Sequence, residues 1–340
     1  MIEGHGDDLY RYENKIKFNF SSNIYQGFKY DRLKEYLYRQ EDNIFSSYPE
    51  PIPHSLERLI AEAAGFSHEE VMVTSGSTDS IYNIAFFRHS SDSTIVEPTF
   101  SEYEDACLIH KHKIKYISQK QFEDRKVFKS QVVWLCNPNN PTGRVYNKNL
   151  LEEKIKSNPD VLFVIDAAYK DYTLEEMPDF VRLVKTHKIL VLFSFTKRFA
   201  IPGLRIGYIA GRKDLINKLK SLRMPWSVSS VSLTCCEFLM KNKRDYVIPI
   251  ISLLYEKQKM TKSLRELGIK VLESDTNFIL CRLPLGRACD LKEYLAETHG
   301  LLIRDAANFH GLDESYFRIA SQGNFENNLL IKAVQEWLVL

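Results

Sequence analysis

The chain is short of most features that would place it quickly. Its six cysteines (Cys107, Cys136, Cys235, Cys236, Cys281 and Cys289) form no Cys-x-x-Cys pair in 340 residues. That sets aside a thiol metal clamp and a disulfide scaffold, and leaves buried thiols in a reducing compartment. No uninterrupted apolar run is long enough to cross a bilayer. The opening MIEGHGDDLYRYENK is polar and acidic, so no secretory leader is expected and the cytoplasm is the expected location. Net charge is only +2, which offers no footprint for nucleic acid or an anionic membrane surface. Repeats and low-complexity tracts are missing too. What remains is an ordinary globular composition, 44% hydrophobic and 26% charged. A chain of this length can bury a large core, as two domains or as one large domain with an appendage.

Residues 1–30 are aromatic and polar with little periodicity, and read as an extended arm packed on another surface. Residues 54–64 read as a helix ending at Gly65. Strands and helices then alternate: strands at 71–73, 94–96, 132–136, 161–165, 189–195 and 206–210, with helices near 78–88 and 101–111. Short apolar strands of this kind suit an α/β fold with a mostly parallel sheet sandwiched by helices. After Pro225 the pattern changes to longer amphipathic helices, near 229–243 and 246–267. Strands follow near 269–282 and 316–320, with helices near 287–299 and 325–338. The expected organisation is an arm (1–30), a large domain (31–244) and a smaller α/β domain (245–340) joined by the arm.

The most informative segment is Ser194-Phe195-Thr196-Lys197-Arg198, leading on to Arg205. It follows the apolar run Ile189–Phe193, so Lys197 stands at the mouth of a buried strand. Two hydroxyls flank it, and a second cation lies eight residues on. A lysine held near another cation keeps part of its population neutral and can condense with an aldehyde. An aldehyde that needs a phosphate cradle beside its lysine is pyridoxal 5′-phosphate.

Four further clusters fit that chemistry. The turn Gly76-Ser77-Thr78 opens a helix and offers backbone N–H groups to an anion, although such turns are also common connectors. Asn137-Pro138-Asn139-Asn140-Pro141-Thr142-Gly143 follows a buried strand, and its prolines and glycine fix the direction of Asn140. Asp166 ends the run Val161–Ile165, at the sheet edge where open α/β folds bind ligands. It is either a helix N-cap or the partner of a protonated pyridine nitrogen. Tyr169, three residues on, can reach the same ligand's phenolic oxygen. Arg318, inside Tyr316–Ala320, and Arg304, inside Leu301–Asp305, are forks suited to a carboxylate or phosphate, or to a surface salt bridge.

With these segments in order, the chain resembles the fold-type I, class I/II aminotransferase family of pyridoxal-phosphate enzymes over nearly its whole length. The resemblance implies that Lys197 forms the Schiff base and shuttles protons. It implies that Asp166 pairs with the ring nitrogen, and that Asn140 and Tyr169 bond the ring oxygen. Ser194, Thr196, Arg205 and the turn Gly76-Ser77-Thr78 would hold the phosphate, and Phe100 would stack on the ring. Tyr48, in Ser47-Tyr48-Pro49, matches a tyrosine that reaches a neighbouring subunit's phosphate, which implies a homodimer. Arg318 would take the substrate carboxylate. Arg304, Asn23, His5 and Asn277 would complete the substrate side.

Within that family two branches are similar, the histidinol-phosphate aminotransferases and the L-threonine-O-3-phosphate decarboxylases of cobalamin biosynthesis. The decarboxylase branch is favoured by the opening Gly4-His5-Gly6 with Phe20-Ser21-Ser22-Asn23-Ile24, by Pro98–Tyr103, and by the run from Ile303-Arg304-Asp305 to Arg318. Asp7 stands where that opening has a second glycine, and Tyr25-Gln26 replaces its Asn-Pro. The implied reaction is decarboxylation of a small phosphorylated amino acid. The alternative is transamination of histidinol phosphate or a related amine. Both reactions share every cofactor residue and differ in which bond at the α-carbon is held perpendicular to the ring. A silent DNA-binding regulator on the same framework would carry an N-terminal basic helical domain, and residues 1–30 are too short and insufficiently basic for that.

Overall fold

The computed structural model describes residues 7–339. Seven strands form the main sheet. In spatial order they are Val71–Thr74, Gly207–Gly211, Ile189–Ser194, Leu162–Asp166, Val132–Cys136, Asp92–Glu97 and Lys113–Ser118. Six run parallel, and Gly207–Gly211 alone runs against both of its neighbours. Side chains alternate across a strand, and here both faces are buried. Val133, Leu135, Phe163, Ile165 and Val191 enter one core, while Trp134, Leu162, Val164, Leu190 and Leu192 enter the other. That explains the continuous apolar runs in the sequence. Each such fully buried aliphatic or aromatic side chain contributes about 1.5–3 kcal/mol.

The register brings the functional ends together. Cys136 is opposite Asp166, Asp166 opposite Leu192, and both Ser194 and Thr74 lie opposite Gly207. The carboxyl ends of four strands therefore open on one edge. Gly207 permits this closeness, because a Cβ there would stand 2.6 Å from the Phe193 carbonyl oxygen and 3.2 Å from the Ser77 nitrogen.

A second sheet is antiparallel, in the order Arg304–Asp305, Tyr316–Ala320, Phe278–Arg282, Lys270–Val271. Helices Ile250–Glu266, Ala288–Tyr294 and Asn324–Trp337 cover it, over a core that includes Met260, Leu264, Cys281, Phe317 and Leu330. The N-terminal segment joins this unit. Phe18–Asn19 pairs in parallel with Leu301–Leu302, and Phe20 is fully buried in the same core. The Phe20 N–H donates to the Leu302 carbonyl at 2.8 Å, and its own carbonyl accepts from the Ala320 N–H at 2.9 Å. Extended backbone thus carries Ser21, Ser22 and Asn23 to the open edge of the main sheet.

The expected strands at 132–136 and 316–320 are matched residue for residue, and the helix His54–Ala64 ends at Gly65 with φ 82°. Differences are local. The helix expected from Thr78 begins at Gly76. The sequence reading has no strand at Lys113–Ser118, an edge strand whose alternate residues are exposed. Its clue was a period of two in Lys-Ile-Lys-Tyr-Ile-Ser, not an apolar run. Cys289 is half-buried, whereas the other five cysteines are buried. Among the described residues, no helix is long and apolar enough to cross a membrane.

Candidate active site

Lys197 sits in the single-turn helix Phe195–Arg198 that follows strand Ile189–Ser194. Its Nζ lies 5.3 Å from the centre of the Tyr169 ring. Across the cavity, Asp166 ends its strand with the carboxylate buried. One oxygen accepts from the Ala168 N–H at 2.9 Å and the other from the Tyr103 hydroxyl at 2.8 Å. Burial pushes the Asp166 carboxyl up, and the Tyr103 and Ala168 hydrogen bonds and the Lys197 charge oppose that shift. A buried carboxylate is stable only when paired. Tyr103 was quoted in the sequence motif without a role. The structure shows it fully buried and stacked 5.8 Å from Trp134, with its hydroxyl pushed far up by burial. It remains a donor at any ordinary pH and fixes Asp166 in place.

Gly76, Ser77 and Thr78 form the first turn of helix Gly76–Phe87. The unpaired N–H groups of such a turn, with the positive helix end, suit an anion. Ser194, Thr196 and Arg205 line the same end of the cavity. Arg205 Nη1 donates to the Thr196 hydroxyl at 3.5 Å and to the Pro202 carbonyl at 3.3 Å. Gly76 has φ +85°, and a Cβ there would stand 2.8 Å from Arg205 Nη2. The glycine is what lets the guanidinium lie across the helix start.

The opposite wall holds the second set of candidates. Arg318 is buried, donates to the Ser21 carbonyl at 2.6 Å and to Asn140 Oδ1, and has a buried Nε without a partner. Arg304 is its register partner on the neighbouring strand. Burial and the Arg318 charge lower Arg304 to about 10. Like charges directly opposite on a sheet repel, and an anion between or before the forks would relieve that repulsion. Arg304 is steadied by Asn308 Oδ1 at 2.7 Å and by the Phe309 ring at 5.3 Å.

Asn140 lines the cavity, and its neighbour Asn139 does the fastening that the sequence did not reveal. Asn139 Nδ2 donates to the Pro98 carbonyl and to the Thr142 hydroxyl, each at 2.9 Å, and its Oδ1 accepts from Thr99 at 3.1 Å. The turn that carries Phe100 is thereby tied to the turn that carries Asn140. Phe100 lines the cavity and meets Tyr103 edge-on at 5.9 Å. Asn23 also lines it, with Nδ2 3.4 Å from the Tyr169 hydroxyl and a buried Oδ1 without a partner.

Asn277 is not among the lining residues. It stands behind the arm and donates to the Asn23 carbonyl at 3.4 Å. Tyr48 is also outside the cavity, 88% exposed and 5.7 Å from the Trp226 ring. His5 lies outside the described residues. Ser21, Ser22 and Phe309 line the cavity without having been singled out beforehand as site residues. The chain brings them there only through the pairing of Phe18–Asn19 and the folding of the second sheet.

The residues present fit pyridoxal 5′-phosphate on their own chemistry. Two hydroxyls, a helix start and Arg205 suit the phosphate. A buried, burial-raised Asp166 suits a protonated ring nitrogen, and Lys197 offers the amine. Two side chains of the cavity wall hold buried polar atoms without a partner, Asn23 Oδ1 and Arg318 Nε. Such a fold and donor set define a coenzyme-dependent enzyme with its cavity at the rim of an open α/β sheet.

The model of the class I and II aminotransferases matches residues 15–334, and the chain belongs to that family of pyridoxal-phosphate enzymes. A solved L-threonine-O-3-phosphate decarboxylase from Porphyromonas gingivalis is 34% identical, with a TM-score of 0.92, covering 95% of this chain and 100% of that one. The histidinol-phosphate aminotransferase of Methanocaldococcus jannaschii is 28% identical over 309 residues, 87% of this chain and 82% of its own. A histidinol-phosphate aminotransferase from Sinorhizobium meliloti, solved with pyridoxal-5′-phosphate, shares the fold at 16% identity and a TM-score of 0.86, covering 100% of this chain and 95% of that one.

Proposed function

We propose that this protein removes the carboxyl group of a phosphorylated amino acid, with O-phospho-L-threonine as substrate, in the manner of an L-threonine-O-3-phosphate decarboxylase. The observation that carries the reading is the buried pair Arg304 and Arg318, register partners on one wall of the cofactor cavity. Two forks in one wall suit a substrate with two anionic ends. The 34% identity to a decarboxylase over 95% of the chain supports it.

Bound in this cavity, pyridoxal 5′-phosphate supplies the sink for an electron pair released at the substrate's α-carbon. The chain's own residues decide which bond releases it. Arg318 binds the α-carboxylate, and its guanidinium is already fixed by Asn140 and the Ser21 carbonyl. A fork held by two other groups fixes the carboxylate's direction, and small errors of position matter greatly in catalysis. A carboxylate directed in this way by Arg318 would be the group lost from the α-carbon, leaving as carbon dioxide with its bonding pair passing to the coenzyme. A proton delivered from the Lys197 amine then takes its place on Cα. Tyr103 keeps Asp166 oriented throughout. Arg304 takes the phosphate.

The second reading, an aminotransferase of the histidinol-phosphate type, is favoured by the relative from Methanocaldococcus jannaschii. It differs by placing the Cα–H bond toward Lys197. Incubation with O-phospho-L-threonine separates the two. Carbon dioxide and an aminopropanol phosphate are expected, whereas pyridoxamine phosphate and a keto acid would give the case to the aminotransferase. We propose further that the working unit is a cytoplasmic homodimer. Tyr48, Tyr38 and Phe45 are exposed on one stretch of chain, and Tyr48 would reach a partner's phosphate. The domain division at 244/245 belongs to the same reading.

A further inference from the structure

The cavity wall that holds the two arginines also holds a carboxylate. Asp7 lines the cavity together with Arg304, Arg318 and Ser21. Its backbone has φ +66°, a conformation that aspartate and asparagine tolerate better than most side chains. The Asp7 N–H donates to the Ser21 hydroxyl at 3.1 Å. Asn19 Oδ1 is committed to the N–H groups of Ser21 at 3.0 Å and Ser22 at 3.1 Å, so its Nδ2 is turned to Asp7 Oδ1. The acid is therefore built into the site and not a loose terminus. Its charge is felt at Arg318. Charged and titratable groups facing this space are Arg304 and Arg318 from the second sheet and Lys197, Asp166, Tyr169, Cys136 and Arg205 from the main-sheet side. The buried ion pair Asp8–Lys292, at 2.6 Å, stands next to Asp7 in the arm.

Asp166, Lys197 and Arg205 are engaged by the cofactor in that reading, and the α-carboxylate neutralises Arg318. Arg304 and Asp7 remain for the distal head, one charge of each sign. A phosphate dianion placed there would meet a carboxylate with a single positive charge to offset both, in surroundings where water screens poorly. A proton between a phosphate oxygen and the carboxylate turns that repulsion into a charge-assisted O–H···O bond. Resting on the reading that the substrate carries a phosphate ester, we propose that Asp7 makes the distal subsite selective for a singly charged head, so that a phosphorylated amino acid binds with uptake of one proton. The proton comes from solvent and is shared between the ester and Asp7; no bond to phosphorus changes.

The second ionisation of a phosphate ester lies near pH ~6, so above it the proton must be gathered on binding. The test uses the holoenzyme with two ligands, O-phospho-L-threonine and the O-sulfate ester of L-threonine, which stays a monoanion. Dissociation constants are read from the change in the cofactor's visible absorbance on rapid mixing, before turnover, from pH 6.5 to 8.5. Taking the ratio of the two constants cancels every titration common to both ligands. In the wild-type protein the phosphate-to-sulfate ratio rises by about tenfold per pH unit, following the monoanion fraction. In Asp7→Asn the ratio stays level, and Asp7→Gly, which suits the positive φ, behaves alike. A level ratio in the wild type, or the same slope in both variants, overturns the proposal while leaving the phosphorylated substrate intact. No absorbance change with either ester in the wild type removes the substrate reading itself, and the subsite with it.

Discussion

Replacing Gly76 by alanine tests the phosphate end of the site with one methyl group. Two effects follow from the geometry. The first is conformational: φ is +85°, and a non-glycine residue in the left-handed region costs about 1–2 kcal/mol. The second is local: the new Cβ would sit 2.8 Å from Arg205 Nη2 and 3.3 Å from Cζ. The guanidinium is the far end of a flexible chain, so it moves away and the backbone stays. Urea unfolding of the apoprotein should therefore show a loss of about 1–2 kcal/mol, set by backbone strain alone. Cofactor binding should suffer more. A hydrogen bond to a charged group contributes about 1.5–3 kcal/mol, which is roughly 10- to 100-fold in the dissociation constant. Titration of apoprotein with pyridoxal 5′-phosphate, followed by absorbance, measures this directly. The double variant with Arg205→Ala decides the mechanism. If the methyl acts by displacing Arg205, the two substitutions together weaken binding little more than either alone. Additive losses, or normal affinity in Gly76→Ala, would refute the placement of Arg205 at the phosphate.

Three further outcomes follow from other residues of the same cavity. Lys197→Ala should leave a folded protein that keeps no covalent chromophore after borohydride, and mapping the wild-type reduced adduct to another lysine would displace Lys197 from its role. Asp166→Asn should flatten the pH dependence of apoprotein stability. Burial raises the Asp166 carboxyl in the folded state, so the folded chain holds a proton that the unfolded chain releases. Stability is thus fully present below the ordinary carboxylate range and falls as pH rises through the raised folded value; the variant lacks that fall but binds cofactor more weakly, and an unchanged unfolding profile from acid to neutral pH would contradict the assignment. Arg318→Ala strands Asn140 Oδ1 and the Ser21 carbonyl, a loss of about 1–3 kcal/mol; amino-acid affinity should fall at least about tenfold with cofactor retention near normal, and equal loss of both would make Arg318 structural.

Much of the main sheet was legible because its strands are buried on both faces. Continuous apolar runs such as Val132–Cys136 and Ile189–Phe193 leave few other options. Lys113–Ser118 escaped notice because an edge strand keeps only one side dry. The residues proposed to hold the cofactor stood out for a related reason: Asp166, Asn140 and Lys197 each lie within a few residues of the carboxyl end of a strand, so linear order already fixes their position in space. Arg304 and Arg318 carried no such mark. An arginine in a short strand reads equally well as a surface ion pair, and only the antiparallel register shows the two buried side by side.

The sequence by itself determined the strand cores, the turns that follow them and the chemistry at each turn, because hydrophobic period and turn residues are properties of neighbours along the chain. Tertiary structure decided which turns meet. Tyr103 holds Asp166 from 63 residues away, Asn139 ties two turns 41 residues apart through the Pro98 carbonyl, and the Ser21 carbonyl fixes a guanidinium 297 residues distant. Contacts of that range depend on sheet order and register, which no local pattern encodes; the wall proposed for the substrate is made almost wholly of them and forms only where the arm and the second sheet fold together.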